Sequence, residues 1–240
     1  MHNPLAESFS AAAATYDAHA AAQRLAAAEL LAFTAADAPR TILEAGCGTG
    51  IYTRLLRSTF PAADILAIDV AEGMLQQARR RLPGVTFRRA DAECFREGHY
   101  DLVTANATVH WFSDLTGSLA RLARRLTPAG TLSFSFFGPD TYHELDAALR
   151  AVFGDAACVA SRRFASEASL CAAMQSAFPA WEIRERRFTH TFPSLRALLL
   201  SIRHTGTRGP GPSLPWTPRR LLRVEAAYLA QEGAINGVSV

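Results

Sequence analysis

The stretch Thr41-Ile42-Leu43-Glu44-Ala45-Gly46-Cys47-Gly48-Thr49-Gly50 constrains the fold of this chain most. A short apolar run reaches an acidic residue, and a loop with glycine at every second position follows. That is how a buried parallel strand delivers its chain to a tight turn against a ligand. Glycine has no Cβ, so the backbone there can take positive φ and approach the ligand closely. Ile51 to Ser58 has helical character, so strand, loop and helix make the first unit of a βαβ fold.

The spacing separates two ligand classes. A dinucleotide site uses G-x-G-x-x-G, with the pyrophosphate on the helix N-terminus. Here the run is Glu44-x-Gly46-x-Gly48-x-Gly50, and position 51 is isoleucine. A second strand, Asp64 to Asp69, places Asp69 19 residues beyond Gly50. A doubly wound fold sets a ribose-binding acid about there, and a carboxylate accepts both hydroxyl hydrogens at once. Glu72-Gly73-Met74-Leu75 opens the next helix, and Met74 taken alone reads as core.

A third strand, Val85 to Arg89, leads to Asp91-Ala92-Glu93, where Asp91 taken alone is a cap or turn residue. The fourth strand, Tyr100 to Asn106, runs into Ala107-Thr108-Val109-His110-Trp111-Phe112. Strand ends in an open α/β sheet face the ligand crevice, so Asn106 and His110 are expected there. Trp111 and Phe112 either wall a cavity or pack the helix below. A helix from Leu115 to Leu126 and the turn Thr127-Pro128-Ala129-Gly130 precede a fifth strand, Thr131 to Phe137.

Residues 8–35 read as one alanine-rich helix, in which Tyr16, His19 and Gln23 share a face. That face is either plain polar surface or a lid over a ligand. Beyond Phe137 a turn with Asp140 as N-cap opens a helix, and a second helix spans Ser166 to Ser176. A polar strand from Trp181 to Phe192 and a helix from Leu195 to His204 follow. A Gly/Pro loop over 206–218 and a helix from Pro218 to Gln231 lead to Gly237-Val238-Ser239-Val240, the opening of a final strand.

Composition sets bounds on function. The 240 residues suit one α/β domain with additions, and 49% apolar with 20% charged residues is ordinary globular composition. All 25 basic residues are arginine, and the net charge of +3 is too mild to imply nucleic acid. Cys47, Cys94, Cys158 and Cys171 have no metal-ligand spacing, so no metal is expected and the thiols read as reduced. No signal pattern opens the chain, and polar residues interrupt the apolar stretch from Ala11 to Ala36. A cytoplasmic protein that crosses no membrane is expected.

The Glu44–Gly50 loop with Asp69, Asp91 and five strand-helix alternations over 40–137 resembles the class I S-adenosylmethionine (SAM) methyltransferases. A plain dinucleotide-binding module is the alternative. The resemblance implies a doubly wound, mostly parallel seven-stranded sheet with an N-terminal lid helix and a helical insert before the last strand. It implies one domain over 1–240: lid helices in 1–38, a SAM-binding core in 39–137, and a substrate-side half in 138–240 with an insert at about 195–218. The cofactor residues implied are Tyr16, Gln23, Glu44, Gly46, Gly48, Gly50, Asp69, Met74, Asp91, Ala92 and Asn106, with Met74 against adenine and Asp91 at its amino group.

Four further segments narrow the resemblance: Phe9…Tyr16-Asp17…His19…Gln23; Asn106-Ala107-Thr108-Val109-His110-Trp111; Phe136-Phe137-Gly138-Pro139-Asp140-Thr141…Glu144-Leu145; and Ser201-Ile202-Arg203-His204-Thr205-Gly206. Together they are similar to the malonyl-acyl-carrier-protein O-methyltransferases of biotin synthesis. The implied reaction esterifies the free carboxylate of a malonyl thioester carried by acyl carrier protein or coenzyme A. SAM carries the hard chemistry. The acceptor is already ionised at neutral pH, so no general base is needed, and catalysis is in-line positioning with water excluded.

Tyr16, His110 and Arg203 are the catalytic candidates. Arg203 suits a substrate carboxylate because a guanidinium fork matches one. The arginine clusters at 79–81, 162–163, 184–187 and 219–223 are candidate contacts for an acidic carrier protein, or simply solvated faces. Another small-molecule methyltransferase and a non-catalytic SAM-fold binding protein stay open as alternatives.

Overall fold

The computed structural model describes residues 3–34, 36–155, 157–208, 214–232 and 235–239, the side chains of 232 and 236–239 excepted. The chain begins with three helices, α1 (Pro4–Ala12), α2 (Tyr16–His19) and α3 (Ala21–Phe33). Asn3 caps α1 by accepting from Ala6 N at 3.1 Å, with proline in the first turn. The single helix expected over 8–35 is therefore broken, and Tyr16, His19 and Gln23 do not share one helical face. Alanine favours helix throughout this stretch, so propensity could not mark the breaks. Tertiary bonds act there instead: Thr15 Oγ1 donates to the His204 carbonyl at 3.1 Å, and the His19 and His204 rings stack at 4.7 Å.

The core follows in the order β1 (Thr41–Ala45), α4 (Ile51–Thr59), β2 (Asp64–Asp69), α5 (Glu72–Arg81), β3 (Thr86–Arg89), β4 (Tyr100–Ala105), α6 (Leu115–Ala123) and β5 (Leu126–Phe134). The strict strand-helix alternation fails once, because residues 90–99 join β3 to β4 through turns and no helix. These strands form one parallel sheet in the order β3-β2-β1-β4-β5. β1 is central and buried on both faces. Leu43 and Ala45 join Val103, Leu119 and Leu122 on one side, while Ile42 joins Leu56, Ile65 and Leu75 on the other. Each such leucine or isoleucine contributes about 1.5–3 kcal/mol over an exposed one. The winding reverses between β1 and β4, so the crevice at their carboxyl ends receives the glycine loop and the segment after Ala105.

β5 begins earlier than the sequence implies and ends at Phe134. Tyr100 faces Leu126 and Leu102 faces Thr131, so residues 127–130 are accommodated as a register shift inside the strand. Pro128 is tolerated because β5 is an edge strand.

The second half packs as α7 (His143–Phe153), α8 (Glu167–Ala177), α9 (Leu195–His204) and α10 (Pro218–Glu232). Leu145, Leu149, Leu195, Leu198, Val224 and Tyr228 tie α7, α9 and α10 into one apolar cluster. Ser166 and Ser194 cap α8 and α9, each accepting from the backbone N three residues on at 3.2 Å. Asp140 does not cap α7. Tyr142, at φ 60°, holds that position, and the Asp140 carbonyl accepts from His143 N at 3.1 Å.

The seven-stranded sheet is not what the described residues form: five strands make the sheet. β6 (Phe188–Thr191) and β7 (Asn236–Ser239) pair with each other in a separate antiparallel ribbon. The strand expected from Trp181 thus starts only at Phe188. From Glu182 to Arg187 charges fall on both alternating faces, so no apolar face draws this segment onto β5. Residues 209–213 of the Gly/Pro loop and Val240 lie outside the described residues. No helix among the described residues is long and apolar enough to cross a membrane.

Candidate functional site

The glycine loop is pinned to its neighbours before any ligand is considered. Gly46 N and Cys47 N both donate to the Ile68 carbonyl, at 2.8 and 3.0 Å. Asp69 then bridges two elements, one oxygen accepting from Gly48 N and the other from Ala71 N, each at 2.8 Å. Burial raises the Asp69 carboxyl above its usual range, and those backbone donors oppose the rise. Gly50, at φ 88°, starts α4, a conformation that suits glycine.

Glu44, the last residue but one of β1, has 1% of its surface exposed. Its Oε2 has no hydrogen-bond partner among the described residues. Burial pushes this carboxyl up to about 8, with the nearby Asp69 charge adding to the rise. A buried carboxyl oxygen without a partner invites a cationic or hydrogen-donating ligand, because an unpaired buried polar atom is costly.

Across the crevice, the chain leaving β4 is strained and braced. Ala107 takes φ 51°, unusual for a residue with a Cβ. Its N–H donates to Ser135 Oγ at 2.8 Å, and that hydroxyl donates to Asn106 Oδ1 at 2.8 Å. The Asn106 side-chain amide in turn donates to the Gln23 carbonyl at 3.0 Å, joining α3 to this loop. Thr108 Oγ1 lies 3.2 Å from the Gly46 carbonyl and 3.0 Å from the Asn106 carbonyl. On the third side, the Asp91 carboxylate accepts from Glu93 N at 2.9 Å. The Glu93 carboxylate accepts from Ser113 N and Asp114 N.

These elements enclose one cavity. Of the expected cofactor residues, Tyr16, Gln23, Glu44, Gly46, Gly48, Asp69, Met74, Asp91, Ala92 and Asn106 line it. Gly50 does not; it lies behind the loop, where a Cβ would come within 3.0 Å of Leu82. Phe9, Thr49, Ala107, Thr108, Trp111 and Phe112 also line the cavity. Of these, Ala107 and Thr108 lie in the segment after β4 that the resemblance singles out, but nothing in the sequence assigns either a role. A backbone strain and a hydroxyl contact exist only in three dimensions.

The catalytic candidates separate. Tyr16 lines the cavity, and burial with the Asp69 and Asp17 charges raises its phenol. His110 is not in the wall. It sits in a short 3-10 turn (Val109–Trp111), 7% exposed, among the Trp111, Phe136, Phe137 and Phe164 rings. Phe137 N donates to its Nδ1 at 3.3 Å, and burial lowers its pKa to about 3. This imidazole is neutral and packed. Arg203 is exposed on α9 and outside the cavity lining, and His19 stacks on His204 away from it. No cluster of metal ligands occurs among the described residues.

A hollow lined by the carboxylates of Glu44, Asp69, Asp91 and Glu93, by the glycine loop, and by Phe9, Met74 and Trp111 suits a molecule that carries both a cationic group and apolar surface. Two observations support the fit: the orphaned Glu44 oxygen, and Gly48, where an added Cβ would meet nothing within 4 Å.

Residues 43–134 match the family described as "Methyltransferase domain". The chain is 35% identical to a malonyl-[acyl-carrier protein] O-methyltransferase of Halorhodospira halophila, over 92% of this chain and 78% of that protein. It is 38% identical to a trans-aconitate 2-methyltransferase of Methylobacterium nodulans, over 76% of this chain and 74% of that protein. In fold it is similar to the YcgJ protein of Bacillus subtilis, at a TM-score of 0.59 and 15% identity, with 89% of this chain and 94% of that one covered.

Proposed function

Because this chain belongs to the class I SAM-dependent methyltransferases, with SAM as its cofactor, we propose that it methylates the free carboxylate of a malonyl thioester carried on acyl carrier protein. The product is the methyl ester that primes pimeloyl synthesis for biotin. The observation that carries this reading is the 35% identity, over 92% of this chain, to a malonyl-[acyl-carrier protein] O-methyltransferase. His110, buried, neutral and outside the cavity wall, is not placed to act as a base there. No histidine or arginine lines the cavity among the described residues. A hydroxyl or amine acceptor must lose a proton, and a nearby base assists that loss. A carboxylate is ionised already. The two relatives also support it, since malonyl and trans-aconitate groups both offer a carboxylate.

The bound cofactor supplies an activated methyl group on a sulfonium. The chain's own residues do the rest. Glu44 would face the cationic end, Asp69 would accept from ribose hydroxyls, and Asp91 with Met74 would hold the base. The helices of 1–38, with Tyr16 and Gln23, cover the core of 39–137. The half from 138 onward, with its insert at about 195–218, supplies the acceptor side, so all of 1–240 works as one domain. Excluding water strips the acceptor carboxylate of its hydration and leaves orientation as the main source of rate. Arg203, exposed near the end of α9 beside His204, whose carbonyl accepts from Thr15, is assigned to the acceptor carboxylate although it lies outside the cavity lining.

An acidic carrier protein needs exposed cations. Several of the arginines in the clusters are already paired: Arg79 with Glu72, Arg81 with Asp17, Arg162 with Asp146, Arg184 with Glu182 and Arg186 with Glu29. Arg219 and Arg223 are exposed one turn apart on α10, beside Leu222 at 66% exposure. We assign the carrier protein to this face.

A second reading, a small free tricarboxylate as acceptor, is favoured by the trans-aconitate relative. Methyl transfer from labelled SAM to malonyl-acyl carrier protein, acetyl-acyl carrier protein and trans-aconitate separates the readings. A base-labile ester on the malonyl form alone is expected. Transfer to trans-aconitate alone would replace the first reading with the second.

A further inference from the structure

α2 has only four residues and no side-chain cap at its N-terminus. A helix this short has no stability of its own, so its position is set by what it bonds to. One residue makes most of those bonds. Asp17 Oδ1 accepts from the Thr49 hydroxyl of the glycine loop at 2.5 Å. Its Oδ2 pairs with Arg81 Nη1 at the end of α5, also at 2.5 Å. Its carbonyl accepts from Arg24 Nη1 of α3. Arg81 Nη1 also reaches the Thr49 carbonyl at 3.4 Å, closing the triangle.

We propose that Asp17 is the positioning residue that holds the N-terminal segment over the cofactor and so sets how tightly the cofactor is retained. Its neighbours in sequence and space are cavity residues: Tyr16 precedes it, and Thr49, which it grips, is in the cavity wall. The segment therefore lies over the cavity because its carboxylate is fixed to the floor of that same cavity. On the far side the segment is held by the α9 end, where Ser8 Oγ donates to the Gly206 carbonyl at 3.1 Å and Thr15 Oγ1 to that of His204. These anchors, with Ser10 Oγ accepting from Gly73 N of α5 at 3.3 Å, leave the phenol of Tyr16 and the ring of Phe9 facing inward.

Asp17 and Arg81 side chains are 36% and 42% exposed, so solvent ions reach the pair. An exposed pair adds little to global stability. What it sets here is local: whether a few residues of wall stay shut. Cofactor release requires that wall to open, and salt weakens the pair that holds it.

This inference rests on the cavity being the SAM site, and the test separates the two. SAM and S-adenosylhomocysteine binding to the full chain is measured by calorimetry and stopped flow for wild type, Asp17→Asn, Arg81→Ala, Thr49→Val and Asp17→Asn/Arg81→Ala. Ligand-free melting is followed in parallel. Each single variant is expected to bind about ten-fold more weakly, through faster dissociation, with ligand-free melting within a few degrees of wild type. The double variant should bind no worse than the weaker single one, because both cut one link. Wild-type affinity should fall between low and high salt, and Arg81→Ala should lose most of that dependence. Wild-type affinity in the variants, or weakening only in step with lowered melting, would overturn the proposal. Failure of wild type to bind either ligand would overturn the site assignment and this inference with it.

Discussion

Thr108 Oγ1 lies 3.2 Å from the Gly46 carbonyl, and a Cβ added to Gly46 would lie 2.2 Å from that same hydroxyl oxygen. The glycine loop and the chain leaving β4 are therefore packed on each other with no room for a methyl group. Gly46 also takes φ 72°, so a side chain there is strained as well as crowded. Gly46→Ala is expected to lower stability by about 1–3 kcal/mol, as backbone strain and overpacking do, and to remove cofactor binding. Calorimetry with SAM and urea unfolding of the same variant check both. Thr108→Ser keeps the hydroxyl and should retain binding within a few-fold.

Glu44 makes cofactor binding a proton-releasing event. With its pKa raised to about 8, it holds a proton at pH 7, and a cationic ligand beside it favours the ionised form. Calorimetry in buffers of different ionisation enthalpy should show proton release at pH 7 that fades above pH 8. Glu44→Gln should abolish the release and weaken binding by ten-fold or more.

The same residue shapes stability in the absence of ligand. Between pH 4.5 and about 8 the folded chain keeps a proton on Glu44 that the unfolded chain has lost. Stability from this group therefore falls as pH rises through that window. Denaturant titrations of wild type and Glu44→Gln should diverge there, with the variant losing less as pH increases.

His110 acts on the acid side. Its pKa is lowered from 6.5 to about 3, so the unfolded chain binds a proton first as pH falls. The contribution is full above pH 6.5 and is lost progressively toward pH 3. A His110→Asn variant should show a flatter acid limb in urea unfolding. The kcat profile of this variant between pH 6 and 8 should keep every limb that the wild type shows.

The face on α10 predicts a substrate-carrier effect. Arg219→Glu with Arg223→Glu should raise KM for malonyl-acyl carrier protein several-fold at low salt, leave KM for malonyl-coenzyme A near wild type, and leave melting unchanged. Exposed arginines contribute little to the fold, and electrostatic complementarity acts chiefly on association.

The order of strands and helices from β1 to β5 was legible because buried parallel strands are short apolar runs with loops of fixed chemistry between them. Glu44, Asp69 and Asp91 were legible for a related reason. Each ends or follows a strand at the side where an open sheet receives its ligand, so position in sequence implied position in space. His110 shows where that inference stops. It too follows a strand end, but Phe136, Phe137 and Phe164, distant in sequence, close around it and turn it away from the cavity wall.

The N-terminal stretch shows the same boundary from the other direction. Alanine propensity reads as one helix, whereas Asp17, Thr15 and His19 each bond to residues more than thirty positions away, and those bonds break the helix into pieces. At β5 and β6 the pattern of charge against apolar residues was present, but pairing is decided between strands, and residues 182–187 have no apolar face to bury. The sequence alone thus determined the parallel core, the glycine loop and its acidic residues, because local periodicity and chain direction carry them. Only the tertiary structure decided which side chains face the cavity, how the lid is held, and which strands join the sheet, because those depend on contacts between segments that no local pattern records.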